Sequence, residues 1–190
     1  MKKIVFFTVI MFSVFSMPMC TKGSKDASAP SNASGTVDPV NFARDSARNA
    51  PEDVLVGVGS AKESSTSMSI TVAVNRAKEE ISRQISVIVQ NMMRDYIAST
   101  EVNVNDAIYF QESVARTLYN SSLSGVSIAD EGTDADGNYW AAVYMSIADV
   151  SKEINQAVAL AKQQYPGMSS FVPDDRLYPF FLQIKQGNAR

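Results

Sequence analysis

Between Ile70 and Tyr96 the apolar positions Ile70, Val74, Ala77, Ile81, Ile85, Ile88, Met92 and Tyr96 follow one another at steps of 4, 3, 4, 4, 3, 4 and 4. Only an α-helix returns side chains at those steps to one face, so one long amphipathic helix is the first constraint on the fold. Ser64-Ser65-Thr66-Ser67 stands just before it, and any of these hydroxyls can cap its first turn. The opposite face carries Arg76/Glu80 and Glu79/Arg83 at i,i+4 spacing, the pairing of a solvated surface. A seam this regular serves either a partner helix or the chain's own sheet. Strand patterns on both sides of it favour the sheet.

In Asp53–Ala61, Val54, Val56 and Val58 alternate with Leu55, Gly57 and Gly59, which reads as a strand with a tight exit. Gly57-Val58-Gly59 opens like a dinucleotide-binding loop. Lys62 stands where the third glycine belongs, and no acidic residue follows a second strand, so these glycines are read as a close backbone approach. Upstream, Phe42 to Asn49 reads as a short polar helix or lead-in ended by Pro51. Downstream, a polar connection over Val102–Asp106 leads to a helix from Ala107 to Leu123, with Phe110, Val114 and Leu118 inward and Gly125 closing it. Strands follow at Val126–Asp130 and Tyr139–Ile147, joined by Glu131–Asn138. The second places Tyr139, Ala141, Val143 and Met145 on one face and Trp140, Ala142, Tyr144 and Ser146 on the other. Asp149 then caps a helix to Gln164 with Val150, Ile154, Ala157, Val158 and Ala161 inside, ended by Tyr165-Pro166-Gly167. The expected class is α+β: a small antiparallel sheet of about three strands in strand–helix–helix–strand–strand–helix order, packed against one long and two shorter helices.

Composition limits the chemistry. The chain has no histidine and one cysteine, so it lacks imidazole bases, Ser-His and Cys-His nucleophiles, internal disulfides and Cys-cluster metal sites. No metal or cofactor is expected, and no catalytic residue is assigned. A weak carboxylate hydrolase would have to draw on Asp130, Glu131, Asp134 or Asp136. Asp134-x-Asp136-Gly137-Asn138 matches the middle of a calcium loop, but the first and last ligand positions would fall on Gly132 and Val143. The same residues suit a hairpin turn, which is the expectation. No Lys/Arg cluster offers a surface for nucleic acid or for anionic lipid.

Lys2-Lys3 followed by the apolar run Ile4–Phe15 reads as a secretory signal, too short to span a membrane as a mature helix. Two cleavage sites compete. In one, cleavage before Cys20 leaves its thiol to carry lipid, although Ser16-Met17-Pro18-Met19 is a loose version of the usual lipobox. In the other, cleavage after Ser16 leaves Cys20 as a free thiol. The Ser/Gly/Ala/Pro run Thr21–Thr36 has the composition of a spacer and favours the anchor. Without Lys2 and Lys3 the charge falls from −3 to −5, with 15 basic and 20 acidic residues.

The resulting division is a signal over 1–19, an anchor cysteine and tether over 20–50, an α+β domain over 51–164 and a Pro/aromatic extension over 165–190. That extension mixes Pro173 and Pro179 with aromatics, so it is expected to lack long regular structure and to fold back over its own domain. Otherwise Phe171, Tyr178, Phe180 and Phe181 form a partner-binding patch. Tyr139, Trp140 and Tyr144 are candidates to line a ligand pocket, against the plainer reading of aromatics in a core.

Val56-Gly57-Val58-Gly59-Ser60-Ala61, Ala73-x-x-x-Ala77-Lys78-x-Glu80-Ile81-Ser82-Arg83 and Asp136-Gly137-Asn138-Tyr139-Trp140 resemble the lipoprotein-20 family of bacterial envelope lipoproteins. The N-terminal domain of the flagellar T protein looks similar. The resemblance covers roughly Pro51 to Ala161 and implies helices against a small antiparallel sheet, with no catalytic residues to carry over. The expected protein is a lipid-anchored, non-catalytic binding or structural module of the outer membrane or envelope, facing periplasm or surface. It would contact an envelope protein or a second copy. The alternatives are an accessory of flagellar or other envelope machinery and a small-ligand-binding lipoprotein.

Overall fold

A computed structural model describes residues 36–121 and 123–188. The signal and Cys20 lie outside the described residues. The element order is α1 (Pro39–Asn49), β1 (Val54–Ala61), α2 (Thr66–Ser99), α3 (Val104–Asn120), β2 (Ser127–Thr133), β3 (Tyr139–Ser146), α4 (Ile147–Gln164), a short 3-10 turn (Pro166–Met168) and α5 (Asp174–Asn188). The strands form an antiparallel sheet in the order β1-β3-β2, so the fold is α+β as the sequence patterns require.

The 34 residues of α2 make a rod about 51 Å long. Its start is set by Ser65, whose hydroxyl accepts from the Met68 N–H at 3.3 Å. The predicted stripe is buried from Ala77 onward, with Ile81, Ile85, Ile88 and Met92 all at 0% exposure. Nearer the N-terminus the buried residues are Ser69 and Ala73, with Ile70 and Val74 only partly buried, because here the helix backbone lies directly on β1. A Cβ on Gly57 would fall on the Ala77 carbonyl oxygen, and one on Gly59 on the Ala73 carbonyl and the Ala77 N–H. The two glycines are what the close approach requires. Arg76 does not pair with Glu80. It donates to the Ser60 carbonyl at 2.5 Å, while Glu80 bonds Arg83 one turn on and Gln84 Nε2 reaches the Val56 carbonyl at 2.8 Å. Side chains of α2 thus supply partners to β1 carbonyls that no strand pairs.

The C-terminal half of α2 packs against α3 and α5 around an aromatic cluster. Phe110 meets Tyr165 and Phe171 edge-on at 6.4 and 5.8 Å between ring centres, and Phe171 meets Tyr96 at 5.2 Å. On the sheet's other face α1 lays Phe42 against Trp140, and the Tyr144 hydroxyl donates to the Ser46 carbonyl at 3.2 Å.

Several local expectations are corrected. α3 starts at Val104, capped by Asn103, and stops at Asn120, short of Gly125. Gly125 (φ +83°) and Leu123 (φ +39°) belong to the following turn, held by the Glu153 carboxylate, which accepts from the Ser124 N–H and hydroxyl. β2 extends to Thr133 with a bulge at Ala129, so the hairpin loop is only Asp134–Asn138. Ser146, not Asp149, caps α4, and the two form a reciprocal box in which Ser146 Oγ accepts from the Asp149 N–H and donates to its carboxylate. The extension is a 15-residue helix with Pro179 inside it. Leu177 and Phe181 dock one side of this helix into the core and offset the hydrogen bond that Pro179 cannot make.

The close approach yields a direct test. Gly57→Ala places a methyl group on helix backbone that cannot give way, and is expected to cost about 3 kcal/mol or more in urea denaturation. Ile108→Ala, on the exposed side of α3, is expected to change stability by less than about 0.5 kcal/mol. Equal stability of Gly57→Ala and the parent chain would refute the packing described.

Candidate functional site

The four hairpin acids do not converge. Asp130 is exposed and accepts from the neighbouring Glu131 N–H. Glu131 accepts from the Tyr139 hydroxyl, whose pKa is pushed up by burial and then by that carboxylate. Asp136 is exposed, and its carbonyl accepts from Lys62 Nζ. Asp134 is buried with both oxygens occupied. Oδ1 accepts from the Asp136 and Asn138 N–H groups at 3.0 and 2.8 Å, and Oδ2 from Asn138 Nδ2 and Trp140 Nε1 at 2.8 and 2.9 Å. These donors, led by Asn138 and Trp140, hold the Asp134 pKa down to about 2. A carboxylate ringed by N–H donors organises a turn, with Gly137 at φ +80°, and has no oxygen free for a cation. Among the described residues no three His, Cys, Asp or Glu side chains are grouped to hold a metal.

The proposed aromatic pocket is likewise divided. Tyr139 points to the helix-covered face beside Ala61, Ala73 and Ala141, whereas Trp140 and Tyr144 lie on the other face under α1. The period of the strand separates them by one residue and therefore by the thickness of the sheet.

The C-terminal aromatics are split between core and surface. Phe171 and Phe181 are fully buried and unavailable to a partner, because they complete the core around Tyr96 and Phe110. Phe180 is half-buried and Tyr178 is 59% exposed. Phe180 lines an open groove of about 450 Å³ between α2 and α5, together with Asp95, Tyr96, Ser170, Val172, Asp175, Arg176 and Pro179.

The helices set the groove's geometry. Asp95 and Tyr96 are adjacent near the end of α2, so Tyr96 turns into the core edge while Asp95 stays at the surface. Arg176, in the first turn of α5, pairs with Asp95, reaches Ser99 Oγ and lies with its guanidinium 5.6 Å from the Tyr96 ring centre. The Tyr96 and Ser170 hydroxyls bond each other at 2.7 Å. The result is an apolar-floored groove with a fixed charge pair on one wall. Sequence reasoning identified Phe180 but missed Asp95, Tyr96, Ser170 and Arg176. Asp95 and Arg176 are 81 positions apart, and no local spacing joins them.

The Asp134 turn predicts a pH dependence. Because its folded pKa, about 2, lies below the unfolded value of about 3.9, its stabilisation is complete above about pH 4 and is lost as pH falls through about 2. Asp134→Asn should lower stability at pH 7 and remove this component of the acid loss, measured by urea denaturation followed on Trp140, the single tryptophan. Parallel pH profiles for the two proteins would contradict the arrangement.

No protein-family model matches the chain, and no curated protein or solved structure matches it either.

Proposed function

We propose that this chain is a lipid-anchored, non-catalytic binding module of the bacterial envelope that engages a protein partner through the α2–α5 groove. The observation that carries the reading is the edge of that groove. Val172, which lines the groove with Pro179 and Phe180, is 47% exposed, and Tyr178, the residue before Pro179 on α5, is 59% exposed. Apolar side chains held in solvent around an open groove suit a macromolecular surface better than an enclosed small ligand. The alternative of a small-ligand lipoprotein built on Tyr139, Trp140 and Tyr144 loses its support, since those residues share no cavity.

The anchor rests on Lys2-Lys3, the apolar run to Phe15, the lone Cys20 and the Ser/Gly/Ala/Pro composition that follows it. The likeness to lipoprotein-20 proteins points the same way, toward the outer membrane or cell envelope. No helix among the described residues is long and apolar enough to cross a membrane. Attachment in this reading falls to the lipid on Cys20.

One experiment in intact cells tests both parts. A photo-crosslinking amino acid is placed at Tyr178 or at Tyr119, which is 77% exposed at the end of α3 and away from the groove, while an alkyne palmitate analogue reports lipid. A discrete adduct is expected from position 178 and none from 119, with both lipid label and adduct lost in Cys20→Ser. Equal adducts from the two positions, adducts from neither, or label retained by Cys20→Ser would overturn the proposal.

A further inference from the structure

The charges along the α2–α5 groove are unevenly paired. Arg176 gives one terminal nitrogen to Asp95 and the other to Ser99 Oγ, and the Tyr96 and Ser170 hydroxyls share a bond. The carboxylates are less fully engaged. Asp95 spends Oδ2 on Arg176, and among the described residues Oδ1 has no partner. The exposed carboxylate of Asp175 has no hydrogen bond or ion pair among the described residues. Pro179 has no N–H to offer the Asp175 carbonyl one turn before it, so the usual helical bond to that oxygen is missing as well. The neighbouring Asp174 accepts from Ser151 and Asn155 through Oδ1 and does not line the groove.

This inventory selects a ligand. Arg176 neutralises Asp95, which leaves Asp175 as the unbalanced charge of the groove. An anion would meet that carboxylate with no free cation to hold it. A neutral apolar group would strip water from acceptors and return no hydrogen bond. A cationic head on an aliphatic stem meets both demands, the head giving hydrogen atoms to Asp175 and the stem lying on Pro179 and Phe180. The geometry points to a lysine or arginine side chain of the protein partner as the group this groove receives. A macromolecular source is favoured over a free polyamine because Val172, Pro179 and Phe180 make up the apolar part of the groove's lining and Tyr178 stands 59% exposed next to Pro179 on α5, more apolar surface than one stem covers. The inference rests on the partner-binding reading above and adds the chemistry of the partner's contact.

The test uses the full chain in a non-ionic detergent, labelled with nitrogen-15, and titrated with the capped dipeptides Phe-Lys amide and Phe-Glu amide and with spermidine. Saturable amide shifts confined to Tyr96, Ser170, Asp175 and Phe180 are expected with the lysyl peptide and not with the glutamyl peptide. Asp175→Asn removes one charge-assisted hydrogen bond and should weaken the lysyl peptide about tenfold. Asp45→Asn, on exposed α1, should leave it unchanged. Equal shifts with both peptides, shifts spread over the whole acidic surface, or no effect of Asp175→Asn would overturn the inference. Spermidine binding as tightly as the lysyl peptide would overturn the protein source. A failed titration alongside a position-178 adduct in cells would remove the basic contact and leave the partner-binding reading standing, whereas failure of both removes both.

Discussion

The backbone of α2 lies on the backbone of β1, and the rest of the molecule is arranged around that contact. Side chains usually separate a helix from a sheet. Here Gly57 and Gly59 on the strand and Ala73 and Ala77 on the helix remove them over one stretch. Helix carbonyls then occupy the space a strand Cβ would fill, and the pair can slide only by whole steps of strand and helix together. Arg76 and Gln84 lock the same register from the edge by bonding the Ser60 and Val56 carbonyls. They also leave fewer main-chain acceptors along β1 for another strand to pair with.

With its first half fixed to the sheet, the second half of α2 becomes a post for the remaining helices. α3 and α5 pack on it, α4 pairs with α3, and Phe110, Tyr96 and Phe171 join them at their centre. The α2–α5 groove is a by-product of this arrangement. α5 buries Leu177 and Phe181 on one side, which necessarily turns Tyr178 and Pro179 outward, and Arg176 fixes its first turn to Asp95. The buried and presented aromatics of this segment are therefore set by one helical phase. The hairpin at Asp134 is a separate, self-contained device whose carboxylate serves its own turn.

The elements governed by local periodicity were legible in the sequence. α2, the two faces of β3 and the inner stripe of α4 are all set by side chains within a few residues of one another. The glycines of β1 were readable as a close approach, though not which helix atoms they would meet. α5 was misread because Pro179 argues against a helix. The opposing signal was present at Leu177, Phe181 and Ile184, spaced four and three apart. Pro179 is tolerated because it stands on the exposed side, where its missing hydrogen bond faces no packed neighbour. The groove was legible only in Phe180. Its other walls depend on where α5 lands on α2, and no spacing within either helix records that.

If the glycine-mediated contact of β1 and α2 is the most stable unit of the protein, native-state hydrogen exchange shows it directly. The amides of Leu55, Gly57 and Gly59 and those of Ala77 to Ile88 are expected to be the slowest to exchange and to open together at the free energy of global unfolding. Exchange of the β1 amides through a low-energy opening while α2, α3 and α4 stay protected would contradict this.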